Sequence, residues 1–302
     1  MESHKIEYSI VIPHKNIPHL LARCLRSIPK RDDLQIIIVD DNSDANIVDF
    51  SSFPGLNRPN TEVYFTKDGK GAGYARNIGI SNAKGKWLIF ADADDFFNEC
   101  INEAMNKHIN TKADIIFFQS DTVNSDTGIK IKSRGNYYNN WLQKSIKKNT
   151  ILDEVRFKIN PPWGKFFSKE LVNKNKIRFD EVITANDVMF STKCGYSAKS
   201  IIIDLSIIYC STIRVGSLDL THNELYIHSR FNVALRHFKY LKSVNKEKYH
   251  MNIFSSINMM RKQDNHTALK KNVAIAYREM GLIYLLNDFI EVLLLKVRKY
   301  LN

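Results

Sequence analysis

The chain has 302 residues, a formal net charge of +12, and hydrophobic residues at 44% of its positions. Four scattered cysteines without a C-x-x-C pair argue against a disulfide framework and against a zinc site. The chain begins without the apolar core of a signal peptide and has no apolar run of about 18 residues, so we expect a cytoplasmic protein. The positive charge indicates nucleic acid, an anionic membrane surface or a phosphorylated substrate as partner.

Apolar runs and helical patterns alternate over the first 120 residues. Unbroken apolar runs predict buried strands, and apolar residues three or four positions apart predict helices. The predicted strands cover residues 8–13, 34–39, 62–66, 87–91 and 114–119, and the predicted helices cover 16–28, 74–83 and 98–110. This alternation predicts an α/β fold, a Rossmann-like and mostly parallel sheet with helices on both faces. The first strand is expected to end at Pro13.

The second part of the chain is less regular. Residues 121–150 are expected to form a hairpin or long loop and then a short helix, and residues 161–167 a rigid turn. Helices are predicted at 169–176 and 188–196, and either one long strand or a strand pair at 200–209. Residues 223–302 are predicted to be mostly helical. We therefore expect one domain over 1–220, with halves 1–120 and 121–220, and a helical C-terminal extension over 221–302.

An apolar stripe marks the last predicted helix. Its members are Leu282, Leu285, Leu286, Phe289, Leu293, Val297 and Tyr300. Such a stripe is typical of a helix that docks on its own domain. The cations Lys296, Arg298 and Lys299 leave open a peripheral contact with a membrane. Lys144, Lys147 and Lys148 are further candidates, although lysine runs usually form solvated faces.

Two predicted strands end in carboxylates. Asp40 and Asp41 follow the second strand, and Asp92, Asp94 and Asp95 follow the strand at 87–91. Ligands of open α/β sheets bind beyond the carboxyl ends of the strands. Asp92 and Asp94 would share a face if this segment were extended. Such a pair suits Mg²⁺ or Mn²⁺ bridged to a diphosphate, and the alternative is a polar turn with a helix cap.

A glycine-rich loop, KDGKGAG at 67–73, precedes the helix at 74–83. It matches neither the Walker A sequence nor G-x-G-x-x-G. Glycine permits close approach of the backbone, and amides at a helix start can bind phosphate, so Gly71 and Arg76 are candidates for nucleotide binding. The alternative is a flexible surface turn.

Three segments together carry a family resemblance. They are SIVIPHKN, IIIVDDNSD and GAGYARNIGISNAKGKWLIFADADD. In this order and spacing they resemble the nucleotide-sugar-binding half of family 2 inverting glycosyltransferases, which have the GT-A fold. A weaker similarity continues through WGKFF, IRFDE, NDVMF and IIYCSTIRVGSL to members that build capsular and lipopolysaccharide sugars.

The resemblance implies roles at the matching positions of the first half. Asp40 and Asp41 correspond to the aspartates that hold the uracil and ribose of a UDP-sugar, and Pro13 lies on the loop beside the base. Arg76 matches a basic residue near the diphosphate. Asp92 and Asp94 match the D-x-D pair, with Asp92 near the ribose and sugar and also a metal ligand, and Asp94 on Mn²⁺ or Mg²⁺. Asp95 would contact the sugar or act as a structural cap.

The second half is expected to bind the acceptor. Asp187 matches the general base that removes the acceptor proton, while Asn186 replaces the usual glutamate beside it. Trp163 and Lys165 correspond to a wall of the acceptor and sugar pocket, with a core Trp and a solvated Lys as the alternative. His222 is a further candidate for the metal or diphosphate shell, although a structural role is favoured.

The family therefore implies an inverting, metal-dependent transfer of a sugar from a UDP-sugar to a saccharide acceptor, expected to be lipid-linked, in surface polysaccharide synthesis. The main alternative is a basic nucleic-acid- or nucleotide-binding protein without transferase activity. The chain lacks the sequence signatures of RNA- and DNA-binding modules, so we expect no nucleic-acid partner. A dehydrogenase would need G-x-G-x-x-G after the first strand, where this chain has PHKN. The sugar, the acceptor, the linkage and the oligomeric state stay open.

Overall fold

A computed structural model describes residues 5–131, 134–147, 152–214, 223–262 and 266–301. The chain divides into two compact units. The first comprises Met1–Val182 and Phe190–Val215, and the second comprises Ile183–Met189 and Gly216–Asn302. The first unit contains the sheet and the second contains four C-terminal helices.

The first unit is built on an eight-stranded mixed sheet of order β3-β2-β1-β4-β7-β6-β8-β5. The strands are β1 Tyr8–His14, β2 Leu34–Asp41, β3 Thr61–Thr66, β4 Trp87–Phe90, β5 Phe96–Phe97, β6 Ile115–Asn124, β7 Lys165–Ser168 and β8 Ile201–Ile213. Parallel pairing joins β3, β2, β1 and β4, and it also joins β6 to β8. The parallel block therefore coincides with the strands whose carboxyl ends carry the aspartates.

Helices cover both faces of the sheet. Those of the first part of the chain are α1 Pro18–Ser27, α2 Ala72–Asn82, α3 Cys100–His108, α4 Arg134–Lys147, α5 Leu152–Lys158, α6 Lys169–Lys174 and α7 Asp187–Ser197. Successive residues of β1 enter different cores: Ile10 and Ile12 belong to one buried cluster and Val11 to the other. Because strand side chains alternate between faces, an unbroken apolar run is what a sheet buried on both sides requires.

Pro13 lies within β1 and not on a loop, which corrects the sequence-based expectation. It pairs with Val39 of β2 in the parallel register. The carbonyls of Glu7 and Val11 accept hydrogen bonds from the β4 side, from Trp87 and Ala91. Because residues alternate along a strand, the nitrogen of Pro13 also points toward β4, at a position past the last of these bonds. Proline is tolerated there because its missing N–H has no ladder partner to lose.

Two short strands escaped the sequence analysis. The segment 161–167 was expected to be a turn, yet β7 begins at Lys165 and pairs antiparallel with both β4 and β6. Strand β5 pairs antiparallel with β8. Both strands are four residues or fewer, so periodicity alone cannot identify them. Strand β8 is one long strand.

The second unit is helical. Its helices are α8 Glu224–Ser243, α9 Phe254–Lys262, α10 His266–Met280 and α11 Leu282–Leu301, with a short 3₁₀ turn at Glu247–Tyr249. Buried side chains from all four helices form one core, which includes Phe231, Phe238 and Leu285. Among the described residues, the structure has no helix with the length and hydropathy needed to cross a bilayer.

Candidate functional site

Asp40 and Asp41 are adjacent at the end of β2 but have different environments. The Asp40 carboxylate accepts hydrogen bonds from His14 Nδ1 at 2.7 Å, from the Ser43 amide at 2.9 Å and from the Ser43 hydroxyl at 2.5 Å. His14 Nε2 accepts the Ile17 amide, so Nδ1 carries the proton. Burial raises the pKa of Asp40, but the bonds from His14 and Ser43 outweigh burial and lower it. Asp40 therefore fixes the loop after β2.

Asp41 keeps one oxygen without a partner. Its Oδ2 accepts the Gly71 amide at 2.8 Å and lies 3.8 Å from Lys15 Nζ. Its Oδ1 is buried and makes no hydrogen bond to the described residues. A buried carboxylate oxygen without a donor is costly, so such an atom points to a ligand that supplies the donor.

Gly71 connects this aspartate to the start of α2. Its φ is +92°, a conformation that glycine adopts without a steric penalty. A Cβ there would come no closer than 3.9 Å to its nearest neighbour, the Val182 carbonyl. Conformation and not space therefore requires glycine, and this conformation aims the Gly71 amide at Asp41.

Arg76 is buried on α2 and pairs with Asp92. Its Nη2 lies 2.5 Å from Asp92 Oδ1, and its guanidinium lies 5.3 Å from the ring centre of Phe179. Asn77 holds Phe179 by bonding both its amide and its carbonyl, at 2.8 and 3.0 Å. Phe179 also stacks on Phe190 with centroids 3.9 Å apart. The aromatic support fixes the guanidinium that aligns Asp92.

The D-x-D segment is a turn and not the extended chain assumed from sequence. The Asp95 amide donates to the Asp92 carbonyl at 3.0 Å, which closes a β-turn. Asp94 Oδ2 lies 3.6 Å from Arg214 Nε. Burial raises the pKa of Asp94, and the charge of Asp92 adds to that rise. Two crowded carboxylates, with side chains 34% and 26% exposed, gain from a cation at this position.

The carboxylate oxygens of Asp92 and Asp94 supply only part of the coordination that a divalent ion needs. Oxygen ligands suit Mg²⁺ or Mn²⁺, which commonly completes its coordination with water and substrate phosphates. In the described ranges, the structure has no group of three or more His, Cys, Asp or Glu side chains able to hold a metal. Asp92 and Asp94 could therefore hold such an ion together with a bound diphosphate.

Both carboxylate oxygens of Asp95 accept hydrogen bonds from the chain, which favours the structural alternative over contact with a sugar. Asp95 is 4% exposed and accepts hydrogen bonds from the Tyr209 hydroxyl at 2.8 Å and the Thr212 amide at 2.7 Å. The Tyr209 oxygen also accepts the Asp92 amide at 2.9 Å. Trp163 stacks on Tyr209, with centroids 5.3 Å apart. Tyr209 and Thr212 of β8 thus hold the D-x-D turn in place through these hydrogen bonds.

Lys165 is buried, whereas the sequence predicted either a pocket wall or a solvated lysine. It is 2% exposed, and its Nζ donates to the Ile159 carbonyl at 2.5 Å. The ammonium lies 5.1 Å from the ring centre of Phe117 and 5.7 Å from that of Phe167. The residue belongs to strand β7, and its long side chain is buried in the core next to these rings.

The acceptor-side candidates lie at the start of α7. Asp187 is the first residue of this helix and Asn186 precedes it. Ala185 has a φ of +54°, which strains a residue that carries a Cβ. These residues belong to the second unit. His222 lies outside the described residues.

Several residues that build the site were not identified from sequence. His14 and Ser43 could have been found, because the parallel register places His14 opposite Asp40. Tyr209 and Thr212 lie in the weakly similar segment IIYCSTIRVGSL, but no role was predicted for them. Their position depends on an irregularity in the pairing of β6 with β8, near Gln119.

Comparison with known proteins agrees with this architecture. The model of the family described as glycosyl transferase family 2 matches residues 9–174. Residues 1–349 of Staphylococcus aureus TarS, crystallised with UDP-GlcNAc, superpose with a TM-score of 0.62 over 94% of this chain and 79% of that chain, at 18% identity. The sheet, its parallel block and its covering helices thus define a protein of the GT-A fold. The chain belongs to glycosyl transferase family 2.

Two curated relatives give the range of similarity. The glycosyltransferase GlyA of Streptococcus pneumoniae is 26% identical over 73% of this chain and 32% of its own length. A poly(ribitol-phosphate) beta-glucosyltransferase of Bacillus spizizenii is 31% identical over 65% of this chain and 30% of its own length. The matched part of the chain therefore spans about a third of each relative.

Proposed function

We propose that this protein transfers a sugar from a UDP-sugar to a saccharide acceptor that is lipid-linked, with inversion, in the synthesis of a cell-surface polysaccharide. Family membership supports sugar transfer, and the relatives described above include enzymes named for acting on poly(ribitol-phosphate). The observation that carries the donor assignment is the unpartnered, buried Oδ1 of Asp41.

The donor binds beyond the carboxyl ends of β2, β1 and β4. Asp41 Oδ1 accepts a hydrogen bond from the uridine, and the uracil ring N–H is a donor of the right kind. Asp41 and Asp92 are separated by the single strand β1, so about 10 Å spans the distance between their strands. A nucleoside diphosphate is long enough to reach both.

Asp92 and Asp94 would hold Mn²⁺ or Mg²⁺ together with the diphosphate of the donor, and Arg76 would supply positive charge beside them. Such an ion stabilises the negative charge that develops on departing UDP. Arg76 holds Asp92 in place and contributes positive charge, since its guanidinium is supported by Phe179. Asp95, Tyr209 and Thr212 fix the turn that presents the two carboxylates.

Asp187 is the proposed general base. Inversion requires a base that removes the proton of the acceptor hydroxyl opposite the leaving group. Asp187 is the first residue of α7, and a carboxylate is a group that can accept this proton. Trp163 is the residue proposed to pack against a sugar, since aromatic rings pack well against the apolar faces of sugars.

Calorimetric titration with UDP, with and without Mn²⁺, tests the donor site. We expect tight binding by the native protein that requires Mn²⁺ and weakens about tenfold or more in Asp94→Asn. Asp44→Asn is the matched control, because Asp44 is an exposed carboxylate that bonds Asn46 on the same loop as the site.

Metal-independent UDP binding, unchanged in Asp94→Asn, would remove Asp94 from the metal role. Absence of binding to UDP, GDP and dTDP under both conditions would contradict the proposed function as a whole.

A further inference from the structure

Helix α11 presents an apolar face to solvent. Seven of its side chains between residues 282 and 294 are 39–73% exposed, namely Leu282, Ile283, Leu286, Phe289, Ile290, Leu293 and Leu294. They extend over 13 residues, or about 20 Å of helix. The sequence analysis favoured a docked helix, but in the structure only Leu285 of the predicted stripe is buried, among the residues whose burial is described.

The same helix directs its carboxylates toward its own unit. Asp288 is 3% exposed and accepts from the Ile253 amide at 2.7 Å and pairs with His250 at 3.0 Å. Glu291 accepts from Asn252 at 2.8 Å. Polar residues of a helix on a water-facing surface normally point outward. Here Asp288 points inward, while seven apolar side chains are exposed on the same helix as Asn287 and Glu291. The exposed face is therefore suited to the boundary between water and an apolar environment.

Charge identifies what covers this face. Residues 223–302 contain 14 Lys and Arg against 6 Asp and Glu, so this segment of 80 residues carries +8 of the net +12. Glu279 is engaged by Lys239 at 2.8 Å, and Asp288 is buried. Lys242, Lys248 and Lys270 are exposed. Two copies of such a segment repel each other, whereas an anionic lipid surface attracts it.

We infer that α11 lies in the plane of an anionic bilayer, with its seven exposed apolar side chains between the lipid headgroups. Exposed leucines and isoleucines supply the apolar contact, and the net positive charge of residues 223–302 supplies the attraction to acidic lipid. The helix does not need to cross the bilayer for this binding mode. The inference stands on α11 and on charge, so it can hold even if the proposed donor is wrong.

Vesicle sedimentation of the full chain tests this surface. We expect binding to phosphatidylcholine vesicles containing about a quarter phosphatidylglycerol to be at least tenfold tighter than to phosphatidylcholine alone. The double variant Leu286→Glu with Ile290→Glu should lose that binding at least tenfold. The control is Leu205→Glu with Leu225→Glu, which makes the same charge change at two exposed leucines outside α11.

Circular dichroism must show that both double variants retain native helix content. Equal binding by the two double variants would overturn the inference, because charge alone would then explain attachment. Failure of the native protein to bind acidic vesicles would also overturn it. A concentration-dependent dimer that the α11 variant makes monomeric, without vesicle binding by the native protein, would instead identify a second copy as the occupant.

Discussion

Replacing the Asp41 carboxylate with an amide is expected to weaken ligand binding while leaving the stability of the fold nearly unchanged. In Asp41→Asn the retained oxygen can still accept the Gly71 amide, which now lies 2.8 Å from Oδ2. The new NH₂ group then occupies the position of Oδ1, the buried atom without a partner. The group that faces the proposed ligand therefore changes from a hydrogen-bond acceptor, Oδ1, to a hydrogen-bond donor, the NH₂ group.

The expected loss of UDP affinity follows from hydrogen-bond energies. A bond to a charged group contributes about 1.5–3 kcal/mol, and two opposed donors left buried cost about 1–3 kcal/mol more. The sum of about 2.5–6 kcal/mol corresponds to a Kd that is weaker by roughly 10²- to 10⁴-fold. The free energy of unfolding without ligand should change by less than about 1 kcal/mol, since Asp41 Oδ1 has no partner to lose.

Asp40→Asn is the contrasting variant. All three bonds of Asp40 come from His14 and Ser43, so the amide would oppose one of these donors. We expect a loss of about 1–3 kcal/mol in the free energy of unfolding. Urea denaturation and UDP calorimetry on both variants check the pair. Unchanged UDP affinity in folded Asp41→Asn would refute the reasoning, and an equal loss for UDP and CDP would assign Asp41 to the ribose and not the base.

Two further predictions concern buried polar groups. Tyr209→Phe removes the hydroxyl that joins the Asp92 amide to the Asp95 carboxylate. UDP affinity in the presence of Mn²⁺ should therefore fall about tenfold. An affinity equal to that of the native protein would show that other contacts hold the turn. Burial and, to a smaller extent, the nearby charge of His250 together lower the pKa of His237 to about 3. Because the unfolded chain takes up this proton below about pH 6.5, the free energy of unfolding should fall by up to about 1.4 kcal/mol per pH unit between about pH 6 and 5. Urea denaturation should show a smaller slope for His237→Asn, and an unchanged slope would contradict this assignment.

The parallel block of the fold was predictable because its strands are buried on both faces. Such strands are continuous apolar runs, as in β1, β2 and β4, and the runs of β2 and β4 are followed by aspartates. The family model and the structural match confirm the GT-A fold expected from these motifs. Short strands such as β7 escape detection because four residues contain too few periods to distinguish strand from turn.

Residue types at the site were predictable, but their partners were not. The resemblance implied that Asp40 and Asp41 bind the uracil and ribose and that Asp95 either contacts the sugar or acts as a structural cap, whereas burial and hydrogen bonding separate Asp41 from the other two. Asp40 and Asp95 have both carboxylate oxygens engaged by the chain, and Asp41 has one buried oxygen without a partner. The difference arises from contacts such as Asp95 with Tyr209, which are 114 residues apart in sequence. Local patterns carry no information about contacts at that separation.

The position of β7 has a consequence for how the chain folds. This strand, Lys165–Ser168, is synthesised after both β4 and β6, yet it pairs between them in the middle of the sheet. Until it is added, β4 has one unpaired edge along Trp87–Ile89, and an apolar edge invites association with other chains. Contacts between residues so distant in sequence slow folding. Residues 1–120 released alone would lack this strand, so the parallel block of the sheet should become stable during synthesis only after β7 has left the ribosome.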